Sequence, residues 1–186
     1  MPKLSFIDEY GNLRPEKRLD VILDHFRDFP SIIEGHKKIL VLKIKNERDY
    51  LHKPQKDELG TVVLTSRKSD PTARRAVDNV YVEELIRKGD DISELVQGME
   101  HEDKKMFCRQ FHILMKMQEE YAILESQLML MNDNDKKFFV LYSDCGHDFQ
   151  YIADQEGILY DSARRRVWKI RKAIKNSAIA NMSKEI

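Results

Sequence analysis

The sequence is poor in the residues that would point to several common functions. Its 186 residues hold only 2 cysteines, Cys108 and Cys145, far apart and outside any paired Cys or Cys/His spacing. Neither a disulfide framework nor a zinc site is suggested, and a reducing cytoplasm is the expected location. Glycine (7) and proline (5) are scarce, leaving long uninterrupted stretches that suit helix and not a turn-rich β fold. Long apolar runs are missing as well. The longest patch, Ile39 to Leu42, is far too short to span a bilayer, and MPKLSFIDEYGNLRP has no signal-peptide core, so no membrane partner is expected. Net charge is absent, with 32 basic residues against 32 acidic. Carboxylates are scattered along amphipathic helices, no glycine loop could cradle phosphate, and no Ser/His/Asp or Cys/His grouping stands out. An enzyme is not expected, nor a cofactor.

What is present is 41% hydrophobic and 34% charged residues, enough for a buried core in a soluble, all-α protein. After Pro15, Leu19, Ile22, Leu23 and Phe26 make a helical stripe that closes near Phe29-Pro30. A second helix is read from Ser31, taken as its N-cap, toward Tyr50-Leu51, and the two are expected to pair antiparallel over residues 1–53. The pattern lapses over 54–71, a connector with TVVLT at 61–65 as a short extended segment. Asp70 and Thr72 flank Pro71 and open a helix toward Gly89, and a shorter helix is expected over Ile92 to Met99. Within 72–131 a seven-residue repeat places Phe107, Leu114, Tyr121 and Leu128 at one position. Gln110, Met117, Leu124 and Met131 stand at its partner. Such a seam needs cover, either from another helix of the chain or from a second copy. A homo-oligomer, a dimer first, is expected, with the methionines as adaptable core filling.

The segment 132–178 carries the chemistry, followed by a tail at 179–186. Asn132–Lys137 supplies turn and cap residues, and Phe138, Phe139, Leu141 and Tyr142 resume a helical stripe. Cys145 and His147 read as a polar loop pair without further ligands, not as a metal site. A short helix, Phe149 to Gln155, then Glu156-Gly157-Ile158 and a further helix make a helix-turn-helix signal, with Gly157 free to take positive φ. In the last helix Ala163, Val167, Ile170 and Ile174 fall on one face and are expected to be core. Between 161 and 175 stand seven Lys or Arg against one Asp. At about 100° per residue, Asp161, Arg165, Trp168, Lys169 and Lys172 point away from that core, with Ser162, Arg164 and Arg166 on the flanks. This basic helix beside a tight turn matches one that enters the major groove of double-stranded DNA, where arginine pairs with guanine and lysine sits on phosphate. Trp168 is expected first over the edge of the small core and second against the sugar-phosphate.

The stretch FFVLYSDCGHDFQYIADQEGILYDSARRRVWKIRKAI resembles the C-terminal helix-turn-helix of sigma factors, region four. With the helical N-terminal part and the SDPTARRAV connector, the chain is similar to phage transcriptional regulators of the RinA and ArpU type from Gram-positive bacteria. The matching positions are Tyr151-Ile152-Ala153, Gly157-Ile158 and Ser162-Ala163-Arg164. The resemblance implies a late-gene activator or regulator that works with the host RNA polymerase. Where such domains often carry serine after Gly-Ile, this chain has Leu159, a poor cap, so the last helix is expected to begin at Asp161. Two rivals share the features: a DNA-packaging protein like a small terminase subunit, and a phage protein that occupies host polymerase without reading DNA.

Overall fold

A computed structural model describes residues 5–51, 71–146 and 148–182, with the side chains of 71–76 left out. The described residues are all-helical, without a strand: α1 (Phe6–Asn12), α2 (Pro15–Asp24), α3 (Phe29–Leu51), α4 (Pro71–Lys88), α5 (His101–Met129), α6 (Asp133–Asp144), α7 (Phe149–Glu156) and α8 (Tyr160–Met182). They divide into two compact units. One is Met1–Ile33 with Lys116–Ile186, and the other is Glu34–Met115. These limits cut across the expected segments, because α3 and α5 each contribute to both units. The 61–65 stretch, Asp70 and His147 lie outside the described residues.

The unit that carries the C-terminus is built from local signals the periodicity partly missed. Helix α1 was not expected; its marker is Ser5, whose hydroxyl accepts from the Asp8 amide and donates to the Asp8 carboxylate. Pro15 opens α2 as expected, but α3 begins at Phe29, so Ser31 lies inside its first turn and is not a cap. The chain turns the corner tightly there, the Phe29 amide donating to the His25 carbonyl at 2.7 Å. Nor is α2 held chiefly by α3, as the expected antiparallel pair would require. Its Leu19, Ile22 and Leu23 are fully buried and it packs on α8. An aromatic cluster fills the space around it: Phe26 lies 5.3 Å from both Tyr121 and Phe139, and Phe29 stacks on Tyr121 at 5.9 Å.

In the same core sits an ion pair. Arg18 of α2 donates from Nε and Nη2 to the Glu120 carboxylate of α5, and the Tyr10 hydroxyl of α1 donates to the same group at 2.6 Å. The remaining guanidinium nitrogen, Nη1, donates to the Leu13 carbonyl. Burial first, then the Glu120 charge, pushes the Tyr10 hydroxyl far above the usual tyrosine value, so it remains a donor.

The other unit packs the remainder of α3 with α4 and the start of α5 around Leu40, Ile44, Val82, Ile86, Leu95 and Leu114. Helix α4 ends at Gly89, whose φ of +81° suits glycine. The expected helix over Ile92 to Met99 is absent. Residues 93–98 form consecutive turns, in which Ile92 and Leu95 nonetheless bury their side chains. The heptad stripe is a correction of a different kind. Phe107, Gln110, Leu114, Met117, Leu124 and Leu128 are all buried by the chain itself and Tyr121 is half-buried, while Met131 falls beyond the end of α5. That cover removes the physical reason for expecting a dimer at this seam.

Candidate nucleic-acid interface

Helices α6, α7 and α8 pack on one another over the segment expected to hold a helix-turn-helix, each end set by its own chemistry. Asn132 caps α6 by accepting from the Asp135 amide at 2.9 Å. Asp148 caps α7 by accepting from the Gln150 and Tyr151 amides. Gly157 closes α7 in the left-handed region at φ 63°, and the Ile158 amide returns to the Ala153 carbonyl at 3.0 Å. Ile152 and Ala153 are buried at the close approach, as the residue sizes suggest. The next helix starts at Tyr160, one residue earlier than the missing serine cap implies. The Leu159 carbonyl accepts from the Ser162 and Ala163 amides at 2.9 and 3.0 Å and begins the helix through backbone alone.

Down the length of α8, Ala163, Val167, Ile170 and Ile174 are buried, with Ala178 extending the stripe. The seven basic residues of 161–175 then sort into two sets. Arg166 turns toward α6, donating from Nε and Nη2 to Asp135 at 3.1 and 2.9 Å with its guanidinium 4.4 Å from the Phe138 ring. The hydrogen bonds from Asn132 and then Arg166 hold the Asp135 carboxyl below its usual value. Arg166 is therefore a staple between α6 and α8, its guanidinium engaged with Asp135 where the sequence placed it among the expected DNA contacts. On the opposite flank Arg171 donates to Asp24 and to the Tyr142 hydroxyl, and Lys175 donates to Asp20 at 2.7 Å. Burial works against the charge of Arg171, but the Asp24 hydrogen bond and charge, with Tyr142, hold its pKa above the usual arginine value. Neither Arg171 nor Lys175 was singled out from the sequence. Their signal was available only as a flank position on α8, because the acids that meet them lie some 150 residues away in sequence.

The second set is Arg164, Arg165, Lys169 and Lys172, all exposed and without an acidic partner among the described residues. Asp161 and Ser162 are exposed on the same end of α8. Trp168 does not fold over the core; it is 59% exposed, with the Lys172 ammonium 4.8 Å from its ring centre. A groove of about 830 Å³ beside this face is lined by Asp20 of α2, Tyr142 and Phe149 together with Arg165, Trp168 and Lys172. An aromatic series links the groove to the turn, Tyr142 stacking on Phe149 at 5.3 Å and Phe149 meeting Tyr160 edge-on at 6.1 Å. The arrangement offers positive charge, a planar ring and guanidinium forks on one exposed helix face. Among the described residues no cluster of His, Cys, Asp or Glu could hold a metal, and no helix is long and apolar enough to cross a membrane. Comparison with known protein families, with characterised proteins and with solved structures returns no match for the chain.

Proposed function

We propose that this protein is a double-stranded DNA-binding transcription regulator that lays the outer face of the first half of α8 in the major groove. One observation carries the reading: Arg166, Arg171 and Lys175 are committed to ion pairs within the fold, while Arg164, Arg165, Lys169 and Lys172 stand exposed together without acids. A helix that serves only its own fold has no need of four uncompensated cations on one face, whereas a polyanion neutralises them. The turn at Gly157 and the exposed leading end of α8 supply the geometry by which such helices approach base edges. The likeness to sigma region four favours action at a promoter beside host RNA polymerase, and no catalytic step belongs to the reading. The small-terminase-like rival also needs a self-associating helical part, and the α5 stripe that was read as a self-association seam is covered within the chain.

The test is equilibrium binding to labelled duplexes across a salt series. With Lys169 and Lys172 on phosphate and Arg164 and Arg165 adding at most two more, the slope of log K against log salt is expected between roughly −1.8 and −3.6, by roughly 0.9 per phosphate neutralised. Lys172→Ala should lower that slope by about one for all sequences. Arg165→Ala should cost about 1–3 kcal/mol on a selected site and less on random DNA, with helix content unchanged. Absence of duplex binding, or binding indifferent to salt, refutes the proposal.

A further inference from the structure

Leu159 starts α8 through its carbonyl, but its side chain is largely exposed. It stands in the cap position of α8, where Ser, Thr, Asp or Asn would accept a first-turn amide, and its side chain can accept nothing. Burial does not offset that loss, because the side chain is 78% exposed. It projects at the leading end of the helix that carries Asp161, Ser162, Arg164 and Arg165, all of them exposed. Those four neighbours are polar or charged, and of the residues adjoining it in the chain Ile158 is half-buried and Tyr160 is exposed, so Leu159 is the most exposed apolar side chain at this end of α8.

We infer that Leu159 contacts the C5-methyl group of a thymine and makes that base part of the site α8 selects. This rests on the DNA-binding reading and adds a base identity to it. The major-groove edge of a duplex carries donors and acceptors on every pair, but only thymine presents an apolar group there. An exposed leucine at the end of an inserted helix finds favourable contact on that methyl and loses hydration on any other edge. The arginines beside it, Arg164 and Arg165, supply guanine contacts of the complementary, polar kind. The preferred site thus combines guanine with at least one adjacent or nearly adjacent thymine.

The experiment selects a preferred duplex from a random pool with the full chain, then replaces each thymine in turn by uracil, which removes only the methyl. One replacement should weaken binding about fourfold, the worth of one buried methyl group. Leu159→Ser, which restores a capping hydroxyl, should fold with an unchanged or higher thermal midpoint and bind the thymine and uracil duplexes equally. Indifference of the parent protein to every uracil overturns the inference while leaving DNA binding intact. Discrimination that survives in Leu159→Ser assigns the methyl to another residue and overturns it too. Unfolding of Leu159→Ser makes the leucine structural and has the same consequence. A chain that binds no duplex removes both this inference and the reading beneath it.

Discussion

Removing the Glu120 carboxylate gives the most exacting check on the unit that holds α8. The Arg18 and Glu120 side chains are 6% and 3% exposed, so their charges are satisfied by each other and not by water. In Glu120→Ala the guanidinium keeps one acceptor, the Leu13 carbonyl, and the Tyr10 hydroxyl loses its acceptor at 2.6 Å. Breaking a buried pair from one side costs about 3–5 kcal/mol, because the charge left behind stays desolvated. For a chain of this length each kcal/mol moves the midpoint by roughly 2–4 °C, so a fall of roughly 6–20 °C is expected. Thermal unfolding followed by far-ultraviolet circular dichroism measures it. The control is Tyr10→Phe with Arg18→Met and Glu120→Leu, which removes both charges and the hydroxyl. It should regain most of the loss, since burying two ions costs about as much as their attraction returns. A Glu120→Ala midpoint within about 2 °C of the parent would refute the reasoning, and so would a triple variant no better than the single.

Three further outcomes follow from the packing of α6, α7 and α8. Gly157→Ala should cost about 1 kcal/mol in urea unfolding. An added Cβ meets no atom within 4 Å, so the loss is that of the left-handed backbone alone. Arg166→Ala should lower the thermal midpoint by unpinning α8 from α6, yet leave the affinity of the folded protein for a selected duplex within about twofold, the opposite of Arg165→Ala. Asp135 has a folded-state pKa below its unfolded value of 3.8, so its stabilisation is present above that value and is lost as pH falls through the lower one. Asp135→Asn should therefore destabilise the protein at neutral pH and reduce the steepness of acid unfolding below about pH 4 in a pH series of thermal midpoints.

The parts of the fold that were legible in the sequence are those whose cause is local. Gly157 announced its positive φ, the stretch 132–137 a cap for the helix after it, and Ala163, Val167, Ile170 and Ile174 their common face, because each depends on residues within a turn or two. Ser31 misled for the same reason in reverse. It has the chemistry of a cap, but the corner at His25–Phe29 starts α3 two residues earlier by backbone hydrogen bonds that no side chain advertises. The heptad in α5 was real as a pattern and silent about its cover, since periodicity reports that a stripe is buried and not by what. Trp168 was assigned by habit of residue type, and the angle of its position on α8, close to that of Lys172, was the better guide.

The division of the α8 cations follows from where α2 ends. Lys175 meets Asp20 and Arg171 meets Asp24, so α2 runs antiparallel to α8 and its last helical residue is spent on Arg171. Arg164 lies on the same flank, but two turns nearer the start of α8, about 10 Å beyond that last carboxylate. No acid of α2 can reach it. On the other flank α6 offers Asp135 near its first turn, which meets Arg166 and no residue earlier in α8. Both neighbours therefore neutralise the helix from Arg166 onward at its sides and leave Arg164, Arg165 and the outer face untouched. A chain of zero net charge thus presents a positive helix end without any excess of basic residues, because its acids are placed to pin α8 and stop short of its leading turns. Extending α2 by two turns with an acid opposite Arg164 would close that gap, and on this argument it would weaken DNA binding without a change in any residue of α8.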